Sequence, residues 1–345
     1  MTHGSDALDP ALAALIEAFE AEGLPPWHTL PVEEARRLED ELFGPSGEGP
    51  EMASIRDLAI EGPDGDDLPI RAYLPRVPED APPPTLVFYH GGGWTLGTLD
   101  SCEDICLELA DRVGAAVLSV DYRLAPEHPF PAAVDDAYAA VCWAGGNADE
   151  LGADPDRIGV AGTSAGGNLA AATAMRVRDA HRGEGRVAAI EATVESGRTF
   201  EPPSLSCQGL FYPITDPSFD TDSYREHGTD ALLSERDMRW FWSQYLRSPI
   251  DAAHPYASIL DAPDLSELAP AVVATAGHDV LRDEGAAYAR RLADAGVPIE
   301  HLHYPALTHG FLSVTDEVPA ADVAMDAVAN ALRKRLSASP DPSGC

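Results

Sequence analysis

The sequence predicts an α/β fold: a doubly wound, mostly parallel eight-stranded sheet flanked by helices, with a helical cap. Two observations predict it. Short apolar runs of strand length alternate with amphipathic runs of helix length, as parallel strands joined by crossover helices require. In addition, 29 Gly and 30 Pro punctuate those runs in a chain of 345 residues with 45% hydrophobic content, long enough to bury one large core.

The first elements are two amphipathic helical patterns, Pro10 to Ala21 and Val32 to Phe43, separated by Gly23-Leu24-Pro25-Pro26. Their apolar faces need a surface to cover. Extended segments follow at Ile55 to Ile60 and Leu68 to Leu74, joined by the turn-rich run Gly62 to Asp67. Six further strands are expected at Thr85 to Tyr89, Ala115 to Val120, Arg157 to Ala161, Gln208 to Tyr212, Ala271 to Ala276 and Ile299 to His303. Helices are expected near Cys102 to Val113, Ala132 to Trp143, Ala165 to Arg178, Glu284 to Ala295 and Ala321 to Leu336. Residues 181–206, rich in Gly, Glu, Arg and Pro, predict a mobile surface loop. The aromatic-rich helix Asp237 to Leu246 suits a lid or a docking face, with core packing as the alternative. The predicted organisation is therefore N-terminal helices contributing to a cap (1–48), an α/β domain in two parts (49–213 and 261–336), a cap segment between them (214–260) and a disordered tail (337–345).

Composition excludes several function classes. No stretch approaches the roughly 20 apolar residues of a membrane helix, and the N-terminus carries neither a basic segment nor a following apolar one, so a cytoplasmic protein is expected. The five cysteines include no C-x-x-C pair and predict free, mostly buried thiols with no metal site. The formal net charge is -35, and of 23 basic residues only Lys334 is a lysine. Adaptation to molar salt accounts for both features. A genome that favours Arg over Lys accounts for the missing lysines but not for 58 carboxylates. Either origin disfavours binding to nucleic acid or an anionic membrane.

The chemistry is carried by Gly162-Thr163-Ser164-Ala165-Gly166, a small-residue turn between an apolar run and a helical one. This is the pattern of a nucleophile elbow, in which a serine stands on a tight reversal that leaves no room for neighbouring β-carbons. Upstream, His90-Gly91-Gly92-Gly93-Trp94 follows a strand. A phosphate-cradling loop is the rival reading, disfavoured because no G-K-[ST] follows, and an oxyanion loop is the reading adopted. Ester hydrolysis needs a nucleophile, a base, an acid that orients the base, and donors for the developing oxyanion. Ser164 is the candidate nucleophile. His309, in a loop beyond the last strand, is the base. Asp279 is the acid, coming directly after a strand, whereas Asp283 and Glu284 begin the next helix, where carboxylates serve as caps. The backbone N–H groups of Gly92, Gly93 and Ala165 are the candidate oxyanion donors, with His90 and Gly91 supporting the loop. The chain order Ser, Asp, His is that of α/β-hydrolases. Trp94, Leu232, Leu233 and Trp240 are candidates for the pocket wall. A pairing of Arg123 with Glu127 is expected to stiffen the proline-rich segment Tyr122 to Pro131, which is read as a buttress of the oxyanion loop.

On these residues the chain resembles the hormone-sensitive-lipase-like (family IV) carboxylesterases. The matching pieces are His90 to Trp94, Asp121 to Ala132, Gly162 to Ala170, Asp279 to Glu284 and His309-Gly310-Phe311, in the family's order across most of residues 55–335. The G-T-S-A-G form of the elbow places it in one branch. The resemblance implies hydrolysis of short- to medium-chain carboxylic esters without a cofactor, with Ser164, Asp279 and His309 as the triad. It also implies a cap from the N-terminal helices and the segment after Tyr212, and favours a homodimer. Two departures are His278 before the acid and Val280 where the family has proline; a third is the length of the 181–206 stretch. An amide hydrolase with the same triad and a ligand-binding receptor on an inactive hydrolase fold are the rival readings. The second is opposed by a triad with no member missing.

Overall fold

The computed structural model describes residues 7–45, 47, 49–78, 81–183, 201–230 and 232–337. Its strands are β1 (Ser54–Glu61), β2 (Asp67–Leu74), β3 (Thr85–Tyr89), β4 (Ala116–Val120), β5 (Ile158–Thr163), β6 (Leu205–Phe211), β7 (Ala271–His278) and β8 (Ile299–Thr308). They form one eight-stranded sheet in the order β1-β2-β4-β3-β5-β6-β7-β8. β2 runs antiparallel to both β1 and β4, and the remaining pairs are parallel. β3, β4 and β5 are buried at every position, which is why they read as continuous apolar runs rather than alternating ones.

The helices are α1 (Pro10–Glu22), α2 (Val32–Phe43), α3 (Glu103–Val113), α4 (Ala132–Leu151), α5 (Ala165–His181), α6 (Asp222–His227), α7 (Glu235–Tyr245), α8 (Arg282–Asp294) and α9 (Pro319–Ser337). Alternate strand residues face two cores. Val87 and Tyr89 join α4, α5 and α8 on one face. Leu86 and Phe88 join α3 and α9 on the other, where Leu12 of α1 also packs. Among the described residues, no helix is long and apolar enough to cross a membrane.

Three elements differ from the sequence expectation. α4 continues past Trp143 to Leu151, because Asn147 leaves helical geometry (φ −131°) while its side-chain amide donates to the Trp143 carbonyl at 2.8 Å, bridging a kink. β8 continues through Pro305 to Thr308; it is the edge strand, where a missing N–H need cost no ladder bond. The short α6 is a helix that the sequence reading does not contain. Of the predicted loop at 181–206, α5 occupies the start and β6 the end, and residues 184–200 lie outside the described residues, as do 338–345 of the predicted tail. Cys102, Cys106, Cys142 and Cys207 are free and buried.

Candidate active site

The sheet topology brings the carboxyl ends of β3, β5, β7 and β8 to one rim, and each is followed directly by one of the chemical motifs. Ser164 comes after β5 with φ 54° and ψ −114°, a conformation rare for an L residue. The flanking glycines make this turn passable. A Cβ on Gly162 would meet the Gly166 carbonyl oxygen at 2.3 Å, and one on Gly166 would meet the Tyr89 carbonyl oxygen at 1.9 Å.

His309 follows β8 and places Nε2 3.0 Å from Ser164 Oγ and Nδ1 2.9 Å from Asp279 Oδ2. An ionised carboxylate only accepts, so Nδ1 carries the proton and Nε2 offers its lone pair to the serine hydroxyl. Asp279 is 2% exposed, and its Oδ1 accepts from the Leu281 N–H at 2.9 Å. The other two carboxylates of this segment serve elsewhere. Asp283 accepts from the Ser223 N–H at 2.8 Å, and Glu284 from the Thr215 N–H at 2.6 Å. At the departure Val280, the Ser223 hydroxyl donates to the Val280 carbonyl at 2.6 Å.

The glycine loop passes beside the serine: a Cβ on Gly91 would lie 3.6 Å from Ser164 Cβ. Gly92 and Gly93 have φ of 97° and 58°. Among the described residues, the N–H groups of Gly92, Gly93 and Ala165 meet no backbone acceptor. His90 sits beneath the loop, its Nδ1 2.8 Å from the Gly91 carbonyl and its ring stacked on Tyr122 at 4.2 Å. Burial pushes its pKa down to about 4, so it is neutral near pH 7. The Tyr122 hydroxyl donates to the His90 carbonyl at 2.9 Å, and the Ala125 N–H to the Trp94 carbonyl at 2.9 Å. The expected Arg123 to Glu127 pair is absent. Arg123 instead forks onto the buried Asp136 at 2.8 Å, and Glu127 pairs with Arg36 of α2 at 2.7 Å. Arg36 also donates to the Thr95 and Ala125 carbonyls, both at 2.9 Å, tying α2 to the glycine loop.

Ser164 and His309 open into a cavity of about 440 Å³. α1 contributes Leu12, Leu15 and Phe19 to its wall, α2 contributes Leu38 and Leu42, and α7 contributes Met238 and Phe241. Leu232 and Leu233 also line it, but two candidates do not. Trp94 is fully buried with its ring stacked on Tyr245 at 4.0 Å, because its own φ of 59° turns it into the core. Trp240 packs edge-on against Phe241 at 5.0 Å. α7 packs in two directions: Met238 and Phe241 line the cavity while Trp242 and Tyr245 pack on Trp94. Sequence reasoning missed Tyr212, the residue after β6, whose buried ring packs edge-on against His309 at 4.9 Å and which lines the cavity. Its position at a strand's carboxyl end was the available signal.

A family model described as the alpha/beta hydrolase fold matches residues 86–313. The chain is 44% identical over 292 residues to the carboxylic ester hydrolase LipN of Mycobacterium tuberculosis, covering 84% of this chain and 73% of LipN. It is 38% identical over 340 residues to the carboxylesterase NlhH of the same organism, covering 96% and 97%. Among solved structures, an ester hydrolase from the metagenome of Lake Arreo, complexed with a bipyridine phosphonate derivative, superposes with a TM-score of 0.84 at 36% identity, covering 96% of this chain and 100% of that one. A hyperthermophilic esterase from the archaeon Pyrobaculum calidifontis gives 0.83 at 36% identity, with 96% and 100% covered. By fold, motif order and these similarities, the chain belongs to the hormone-sensitive-lipase-like family of α/β-hydrolases.

Proposed function

We propose that this protein is a serine carboxylesterase that hydrolyses short- to medium-chain carboxylic esters through an acyl-enzyme. The observation that carries the reading is the continuous hydrogen-bond relay from Asp279 through His309 to Ser164, opening into an apolar cavity. Carboxylic ester hydrolysis is also the activity named for its relatives LipN and NlhH. In the proposed cycle His309 Nε2 takes the Ser164 proton as Oγ attacks the ester carbonyl, and the negative Asp279 stabilises the imidazolium that forms. The N–H groups of Gly92, Gly93 and Ala165 receive the oxyanion. His309 then protonates the leaving alkoxide, and a water activated by the same imidazole releases the acid.

The cavity size favours small acyl groups, and α1, α2 and α7 act as the cap over them. The charge of -35 with a single lysine supports adaptation to high salt as part of the same reading. Initial rates on p-nitrophenyl esters from acetate to palmitate, for wild type and Ser164→Ala in dilute and molar salt, test it. Rates that peak at short or medium chains and fall by orders of magnitude in the variant are expected. Turnover that survives Ser164→Ala, or that peaks at palmitate, contradicts the reading.

A further inference from the structure

The cavity wall between α2 and the glycine loop holds two buried acceptor atoms, Glu39 Oε2 and His90 Nε2, that meet no hydrogen-bond donor among the described residues. Glu39 lines the cavity with 8% of its surface exposed, and its Oε2 has no hydrogen-bond partner among the described residues. His90 lines the same cavity at 1% exposure. Its Nδ1 bonds a carbonyl that only accepts, so Nδ1 carries the proton and Nε2 presents a lone pair, and that Nε2 is also unpartnered. Both groups flank Gly97. A Cβ there would meet His90 Nδ1 at 2.2 Å, and the Glu39 carboxyl accepts from the Gly97 N–H and the Ser101 hydroxyl, which leaves Oε2 without a donor. The surrounding wall is apolar, formed by Leu38, Leu42, Leu96 and Ile105. A buried acceptor without a donor is costly, and a carboxylate more so than a neutral group. With the Ser101 and Gly97 donors serving the rest of the carboxyl, Oε2 and the His90 Nε2 are matched by a molecule that brings its own N–H or O–H.

Resting on the esterase reading, we propose that Glu39 is a specificity-determining residue that accepts a hydrogen bond from a hydroxyl or ammonium group on the substrate. The preferred esters then carry such a donor away from the scissile bond. An apolar ester of equal size fills the cavity but leaves the carboxylate unpaired. Specificity of this kind discriminates more sharply than apolar contact, because the poorer substrate leaves a buried polar group unmatched.

The test compares kcat/KM for matched esters at a pH above about 7, the value to which burial pushes up the Glu39 carboxyl. On the alcohol arm, pentyl acetate is compared with the monoacetate of butanediol, and 5-methylhexyl acetate with dimethylaminobutyl acetate. Methyl heptanoate and the methyl ester of hexanoic acid with a terminal hydroxyl vary the acyl arm. Wild type is expected to favour the donor-bearing ester of at least one arm by about tenfold. Glu39→Leu is expected to abolish that preference, and Glu39→Gln to weaken it most for the ammonium ester, since the amide accepts but bears no charge. The melting transition of each variant shows that it folds, and if Glu39→Leu does not, the ammonium preference in Glu39→Gln decides. No preference in wild type, or one unchanged by the substitution, overturns the proposal while leaving the esterase intact. No turnover of any ester by wild type removes the esterase reading and the proposal with it.

Discussion

Glu39 also has a consequence for folding that is independent of any substrate. The charged neighbour acting on it is Asp40, of like sign, and burial is the largest influence, so its carboxyl pKa is pushed up to about 7 from an ordinary 4.5. The folded state therefore holds this proton more tightly than the unfolded chain does. The stability it contributes is full below about pH 4.5 and is lost as pH rises to about 7, the reverse of an acid in a salt bridge. Glutamine keeps the shape and removes the titration. Glu39→Gln should accordingly gain stability over wild type across that window, by at most about 3 kcal/mol above it. Denaturant midpoints of both proteins at about pH 5 and about pH 8 measure the difference, and a constant offset at the two values would show that the folded state pairs the charge.

α7 owes its position to one carboxylate that acts on two segments. Asp237 forms a capping box with Ser234, accepting from the Ser234 N–H at 3.0 Å while its own N–H donates to Ser234 Oγ at 3.2 Å. Its other oxygen accepts from the His28 N–H at 3.0 Å and lies 2.7 Å from His28 Nδ1, so the turn between α1 and α2 is tied to the start of α7. Asp237→Ala should cost about 2–3 kcal/mol, the sum of a lost cap and an unpaired buried donor. Because these elements wall the cavity, KM should rise more than kcat falls. A double-mutant cycle with His28→Ala checks the coupling, and additive effects would contradict it. The link from His28 to Asp237 was not legible in the sequence, since it joins residues far apart in the chain. What was legible rests on local constraint. The strands showed as unbroken apolar runs because both their faces are covered, and Ser164 showed because only glycine fits on either side of it. Reasoning from adjacency failed where the chain turns. Trp94 follows the glycine loop yet is swung into the core, and Arg123 and Glu127, four residues apart, stand in a segment that is not helical and find partners elsewhere. Tyr212 and Glu39 reach the cavity only through the ending of β6 and the seating of α2.

For the whole molecule, the deciding quantity is the imbalance between 58 carboxylates and 23 basic residues. Arginines are spent as hubs within acidic clusters. Arg71 contacts Asp57, Asp100 and Glu103, Arg112 contacts Glu108, Asp322 and Asp326, and Arg182 contacts Asp264 and Glu267. The planar guanidinium suits this bridging better than an ammonium does. Added salt acts on the two sides of this balance in opposite directions. It weakens the exposed pairs, which contribute only about 0–1 kcal/mol each. It also relieves the mutual repulsion of the excess acids, as the screening length falls from about 10 Å at 0.1 M to about 3 Å at 1 M. With a net charge of -35 the repulsion outweighs the pairing, so stability should rise with salt. The melting temperature followed from dilute buffer to molar sodium chloride measures the sign directly. Chloride is the informative salt, because sulfate strengthens apolar burial in any protein. A melting temperature that climbs in chloride makes the acidic surface an adaptation to salt, whereas one that stays flat leaves the scarcity of lysine to codon preference and the carboxylates to local pairing.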